Sequence, residues 1–178
     1  MRGQLDKRLP QGKYYIGDLC YVMPDGHWDE FLELTALYDS KGKLLEYEEG
    51  FFEFKGYSVG WHGTEYGDGF YTANMRGNVN DGEGCPVDSG TIGIIPWAYI
   101  AMHHTQKEID EQILGAGIIH EFDDSFYVEL GVDSKFGKMI VKTTSDRDDD
   151  DEEYEQWRND EYGDDEDDED DEENESDS

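Results

Sequence analysis

Three aspartates, Asp18, Asp68 and Asp88, stand beside or within two residues of glycine at the ends of β-prone runs, and His62 lies between Trp61 and Gly63 in another such run. Carboxylates gathered at strand ends would suit a hard cation such as Mg2+ or Ca2+, which takes oxygen ligands. With His62 as general base and the carboxylates as orienters or ligands, the chemistry would be a metal-assisted hydrolysis. The same residues have a plainer use. Aspartate next to glycine is ordinary turn chemistry, in which the carboxylate accepts from nearby backbone N–H groups. No histidine shows the spacing of a zinc motif such as His-Glu-x-x-His, which favours a surface or hydrogen-bonded role for each. Cys20, in an apolar run, and Cys85, before Pro86, have contexts that mark neither as an activated thiolate, so both read as small buried hydrophobes. Phosphate-binding loops, dinucleotide fingerprints, nucleophile elbows and kinase signatures are absent, and Gly82-Glu83-Gly84 is too short and too acidic to cradle a phosphate.

The elements that would carry these residues read mostly as strands. Residues 1–12 are polar and basic and read as a flexible lead-in. Lys13-Tyr14-Tyr15-Ile16 and Leu19-Cys20-Tyr21-Val22-Met23 are β-prone runs broken by Gly17-Asp18, which predicts a strand with a sharp bend. After Pro24-Asp25-Gly26, the spacing of Trp28, Phe31, Leu32 and Tyr38 predicts a helix. Runs at 51–55, 57–61, 70–74 and 91–95, each bounded by Gly, Asn or Asp, predict strands of an antiparallel sheet. Thr105-Gln106-Lys107-Glu108 has the form of a capping box and opens a second helix, with Ile109 and Ile113 inward and Gly115 as a left-handed stop. A meander over 118–122, 125–130 and 136–143 completes the pattern. The fold class is therefore α+β and mostly β, a small curved antiparallel sheet in a half-open barrel or sandwich with two short helices.

Charge divides the chain. Residues 145–178 hold 22 acidic and two basic residues, net −20 of the total −32, whereas 13–144 carries nearly all the large hydrophobics and reads as one globular domain. Runs such as 148–153 and 164–173 repel themselves, so 145–178 is expected to be a disordered acidic tail. Within it Tyr154, Trp157 and Tyr162 are aromatics in an acidic field, the composition of a segment that docks on a basic, partly apolar groove. Because Lys and Arg supply most non-specific affinity for phosphates, so acidic a chain is a poor direct binder of nucleic acid and favours a basic protein surface. Two cysteines are too few for a disulfide scaffold, the N-terminus lacks the apolar run of a secretory signal, and no stretch approaches a membrane span. The expectation is a soluble, intracellular, cytoplasmic protein without a membrane partner.

Three blocks, Tyr14-Tyr15-Ile16-Gly17-Asp18-Leu19-Cys20-Tyr21-Val22, Gly67-Asp68-Gly69-Phe70-Tyr71 and Val87-Asp88-Ser89-Gly90-Thr91-Ile92-Gly93, resemble in that order a group of small uncharacterised proteins from bacteria, phages and large DNA viruses. In that group the first block usually reads Tyr-Ile-Gly-Asp-Pro-Cys-Tyr-Val, so Leu19 stands where the group has proline and a softer kink is expected. The resemblance runs from about Lys13 to Thr143. It implies a shared β-rich fold, and a cytoplasm or virion setting if the chain is viral, but no activity, substrate or cofactor.

Two readings from different classes follow. In one the chain is an interaction protein whose tail engages or shields a cationic surface, carried by the net −20 at one end. In the other it is a small metal-assisted hydrolase built on Asp18, His62, Asp68 and Asp88. The charge asymmetry is the stronger signal, because the second reading is assembled from residues common in turns.

Overall fold

The computed structural model describes residues 3–72, 75–76, 84–131 and 139–143. The chain divides into two units, Met1–Asp146 and Arg147–Ser178; the second, with Tyr154, Trp157 and Tyr162, lies outside the described residues, as do Glu83 and the turn expected near Lys135.

Strands β2 (Gly12–Gly17), β5 (Gly50–Phe54), β6 (Tyr57–Gly63), β10 (Thr91–Pro96) and β11 (Gly117–Phe122) form a five-stranded antiparallel sheet in the order β11-β2-β10-β6-β5. Successive side chains of a strand point to opposite faces, and here both faces are covered. Tyr14, Ile16, Ile92, Ile94 and Ile118 pack on one face against Leu9, Phe126, Val128 and Val141. These belong to a second sheet made of β1 (Asp6–Leu9), β12 (Phe126–Leu130), β13 (Met139–Lys142) and the two-residue β8 (Met75–Arg76), which pairs with β13 in parallel. Tyr15, Val59, Trp61 and Ile95 face the other way, onto Phe31, Tyr99, Ile100 and Ile113 of the helices. These two sheets thus make an open sandwich with a helical layer outside it, and β7 (Gly69–Thr72) and β9 (Gly84–Val87) form a separate antiparallel pair. Burial on both faces explains why 91–95 reads as a near-continuous apolar block rather than a clean alternation.

Several elements depart from the sequence reading. The lead-in over 1–12 is not loose where β1 lies: β1 pairs with β12 from Asp6↔Glu129 to Leu9↔Phe126, and Leu9 is buried. The run after Gly17 does not continue as strand but closes into a short 3-10 turn, Leu19–Tyr21, because the Asp18 side chain accepts from the Cys20 N–H. The first helix, α1, spans Asp25–Thr35, starting at Pro24 and ending where Ala36–Tyr38 becomes strand β3, paired with β4 (Leu44–Tyr47). A helix α2 over Trp97–His103, absent from the two-helix expectation, follows Pro96. Helix α3, Gln106–Glu108, opens with the expected capping box, but it runs into a π turn over Ile109–Ile113 rather than stopping at a left-handed Gly115.

Three glycines lie in register across the central sheet, Gly117 beside Gly17 and Gly17 beside Gly93. A Cβ on Gly117 would meet the Tyr15 ring at 2.6 Å, and one on Gly93 would meet Leu19 at 2.5 Å and the Gly60 carbonyl oxygen at 2.7 Å. The row is a trough in the helical face. Tyr15 lies across its outer part and Leu19 fills the inner part, which seats the 3-10 turn and the aspartate that caps it.

Candidate functional site

The three sequence blocks meet at one turn. Asp18 is fully buried, and its carboxylate accepts four hydrogen bonds: Oδ1 from the Cys20 N–H (3.0 Å) and the Ser89 hydroxyl (2.7 Å), Oδ2 from the backbone N–H groups of Asp88 (2.8 Å) and Ser89 (2.7 Å). Since the Ser89 proton goes to Asp18, the Thr91 hydroxyl, 2.6 Å away, donates to Ser89 Oγ. Asp88 is exposed and its carboxylate accepts from the Tyr21 hydroxyl. On the opposite side the Thr64 N–H donates to the Gly90 carbonyl (2.9 Å) and the Tyr71 hydroxyl to the Gly67 carbonyl (2.8 Å). Asp68 Oδ1 lies 3.9 Å from where a Cβ would stand on Gly90, whose φ of +71° is the turn conformation glycine allows. Asp18 has φ −69° and ψ 119°, extended backbone from which the chain enters the 3-10 turn.

Asp18, Asp68 and Asp88 therefore gather around one turn, but Asp18 is committed to donors. Mg2+ or Ca2+ would have to displace N–H and O–H groups from both its oxygens, and among the described residues no group of three or more His, Cys, Asp or Glu could hold a metal ion. The donor set does not fit a hard cation. His62 is fully buried in β6 opposite Ile92, its Nδ1 2.9 Å from the Gly63 carbonyl oxygen. Strand alternation turns it to the inter-sheet face, away from Trp61, so a substrate would reach it only if the sheets parted. Burial, followed by contact with Asp18 and the charges of Asp18, Asp88 and Asp68, pushes the Cys20 thiol up to about 12. Burial and then the Asp18 charge push Cys85 up to about 11. Both thiols stay protonated at neutral pH and are weak nucleophiles.

Beside this turn a cleft of about 250 Å³ opens between α1, β4 and β6. Trp28, Leu32, Tyr47 and Trp61 wall it, with Glu49, Ser89 and Thr91 supplying oxygen. Trp61 is 3% exposed and fixed by its indole N–H donating to the Glu48 carbonyl (2.8 Å). Trp28 and Tyr47 approach it at centroid distances of 6.0 and 6.1 Å with ring planes at 88° and 69°, so both stand across its plane. Glu49 Oε1 accepts from the Gly63 N–H at 2.9 Å. A second cleft of about 360 Å³, lined by Leu5, Leu37, Glu46 and Glu48, shares Tyr47 and Glu49 with the first. No family model, curated protein or solved structure matches this chain. Sequence reasoning passed over the cleft because its walls come from separate elements; the one local signal was Glu46, Glu48 and Glu49 alternating with or adjoining Tyr47. In the described residues no helix is long and apolar enough to cross a membrane.

A histidine cluster sits where α1 meets α2. His27 and His103 rings are 4.7 Å apart, His27 Nδ1 is 2.8 Å from the Tyr99 hydroxyl, and His104 Nε2 is 2.6 Å from the Val22 carbonyl oxygen. Burial, then the charges of His27, His104 and Lys55, hold His103 below its ordinary 6.5. The unfolded chain then binds the proton more readily than the folded one, so His103 costs nothing above 6.5 and increasingly destabilises the fold as pH falls below it. The pH change acts on the rest of the chain as well, so the contribution is read as a difference between variant and parent. His103→Gln is expected to gain melting temperature relative to the parent on going from pH 7.5 to 5.5. A constant difference across that range would show that His103 titrates alike in both states.

Proposed function

We propose that this chain is a non-enzymatic interaction protein that engages or shields a basic protein surface through its acidic C-terminal segment. The observation that carries the reading is the net −20 confined to residues 145–178, following residues 1–144 that are themselves net −12. Like charges crowded in sequence attract a cationic surface at long range and raise the association rate more than the final affinity. Tyr154, Trp157 and Tyr162 add apolar area to a segment that would otherwise hold a partner by charge alone. Further support comes from the folded unit, where Asp18 is bonded to donors and both cysteine thiols are held protonated. In this reading the segment presents carboxylates where the partner would otherwise meet phosphates, so it competes with nucleic acid instead of binding it.

The test is displacement of duplex DNA from a lysine-rich protein by the full chain, compared with a chain in which the ten acidic residues of 164–173 are changed to their amides. The parent is expected to displace DNA at low salt and to lose potency as salt shortens the electrostatic range. Neutralisation should raise the half-displacement concentration at least about tenfold, roughly 1.4 kcal/mol. Equal competition by the two chains would sink the proposal.

A further inference from the structure

We propose that the cleft between α1, β4 and β6 seats the alkylammonium group of a lysine side chain presented by a basic protein segment. It rests on the proposed function only in taking the partner to be basic, and it uses none of residues 145–178.

An ammonium on a flexible four-carbon stem needs apolar walls for the stem, an aromatic face or carboxylate for the charge, and acceptors for its three N–H bonds. Each is present. Trp61 forms the floor, with Trp28 and Tyr47 standing across its plane, and a cation among such rings is attracted by their quadrupoles. Leu32 supplies aliphatic wall, and Glu49 stands at the edge with one oxygen held by the Gly63 N–H, which fixes the carboxylate beside the rings. Acceptors come from the hydroxyls of Thr91 and Ser89, whose own protons are directed along the chain toward Asp18. With both protons engaged, neither hydroxyl has one to offer a ligand in the cleft, and each can act there only as an acceptor.

Size and charge select among occupants. About 250 Å³ is below the usual range for a drug-sized ligand or cofactor and suits a single side chain. An anion would meet Glu49 and the negative faces of the rings. Glu46 and Glu48 in the adjoining cleft continue the negative character, so the segment that brings the lysine gains by carrying further positive charge. Leu44 and Leu45, 39% and 63% exposed, lie on β4, the strand that also carries Glu46 and Tyr47, and offer that segment's apolar residues a surface there.

The experiment follows indole N–H signals of the full isotope-labelled chain by NMR during titration with Nα-acetyl-lysine amide and, in parallel, Nα-acetyl-norleucine amide, which has a similar stem and no charge. Lysine amide is expected to shift the Trp28 and Trp61 indole signals saturably, and norleucine amide to bind at least about fivefold more weakly. Tyr47→Ala, at an exposed position, should weaken lysine amide by a similar factor. Glu49→Gln keeps an acceptor for the Gly63 N–H and should weaken it too, whereas amide substitution of 164–173 should leave it unchanged. Equal binding of the two amides would show an apolar cleft with no preference for charge and overturn the proposal. So would shifts confined to residues 145–178, no shift at all, or indifference to both cleft variants. None of these failures would alter DNA displacement by the acidic segment, and failure of displacement would leave the indole shifts standing.

Discussion

Replacing Asp18 with alanine is expected to destabilise the folded unit by about 3–4 kcal/mol, read as a lower denaturant midpoint at unchanged slope. Burying a carboxylate is costly in itself, and removing one from a core is not destabilising by necessity. Here the partners decide. Three backbone N–H groups and the Ser89 hydroxyl point at this one side chain from two loops, and a methyl group accepts from none of them. An orphaned buried donor costs about 1–3 kcal/mol; the exposed position of Asp88 lets water relieve part of the loss, which places the total near the lower end for four donors. Asp18→Asn keeps the shape but sets an NH2 against donors, Cys20 and Ser89 if it takes the place of Oδ1, Asp88 and Ser89 if it takes that of Oδ2. It should cost about 2 kcal/mol, and the Ser89 hydroxyl is left free to turn only where the NH2 takes the place of Oδ1. A change under 1 kcal/mol in the alanine variant would mean that the 3-10 turn and the 88–90 turn are held by packing alone.

Legibility followed locality. The capping box was readable because its groups are three residues apart: Glu108 Oε2 accepts the Thr105 N–H at 2.7 Å and Thr105 Oγ1 accepts the Glu108 N–H at 3.3 Å. Antiparallel runs such as 57–61 and 91–95 were readable because apolar blocks with glycine borders have few alternatives. The 19–23 run misled, since its β-branched and aromatic content was overridden by one side-chain bond to the backbone at Cys20. Trp97–His103 was missed because six apolar residues before His103 fit a helix or a strand equally, and packing of Tyr99 and Ile100 against the sheet makes the choice. At the site, the grouping of Asp18, Asp68 and Asp88 at strand ends was legible, but the direction of the bonds was not. Whether a carboxylate faces a cation or four donors depends on a turn 70 residues away.

The glycine trough supplies the other large effect. Gly93→Ala is expected to cost about 3 kcal/mol, at the upper end for overpacking, because the new methyl meets both a fully buried side chain and a backbone oxygen. Leu19→Ala should cost a similar amount, about 3 kcal/mol, by leaving a cavity over the sheet. If Leu19 lies in the trough because Gly93 has no side chain, the losses cannot add. The double variant removes the side-chain clash and puts a methyl into the space vacated, while the contact with the Gly60 oxygen remains. It is expected near 4 kcal/mol instead of the roughly 6 kcal/mol of independent sites, a coupling of about 2 kcal/mol measurable by a double-mutant cycle in denaturant. Additive losses would mean that Leu19 and Gly93 do not share the space.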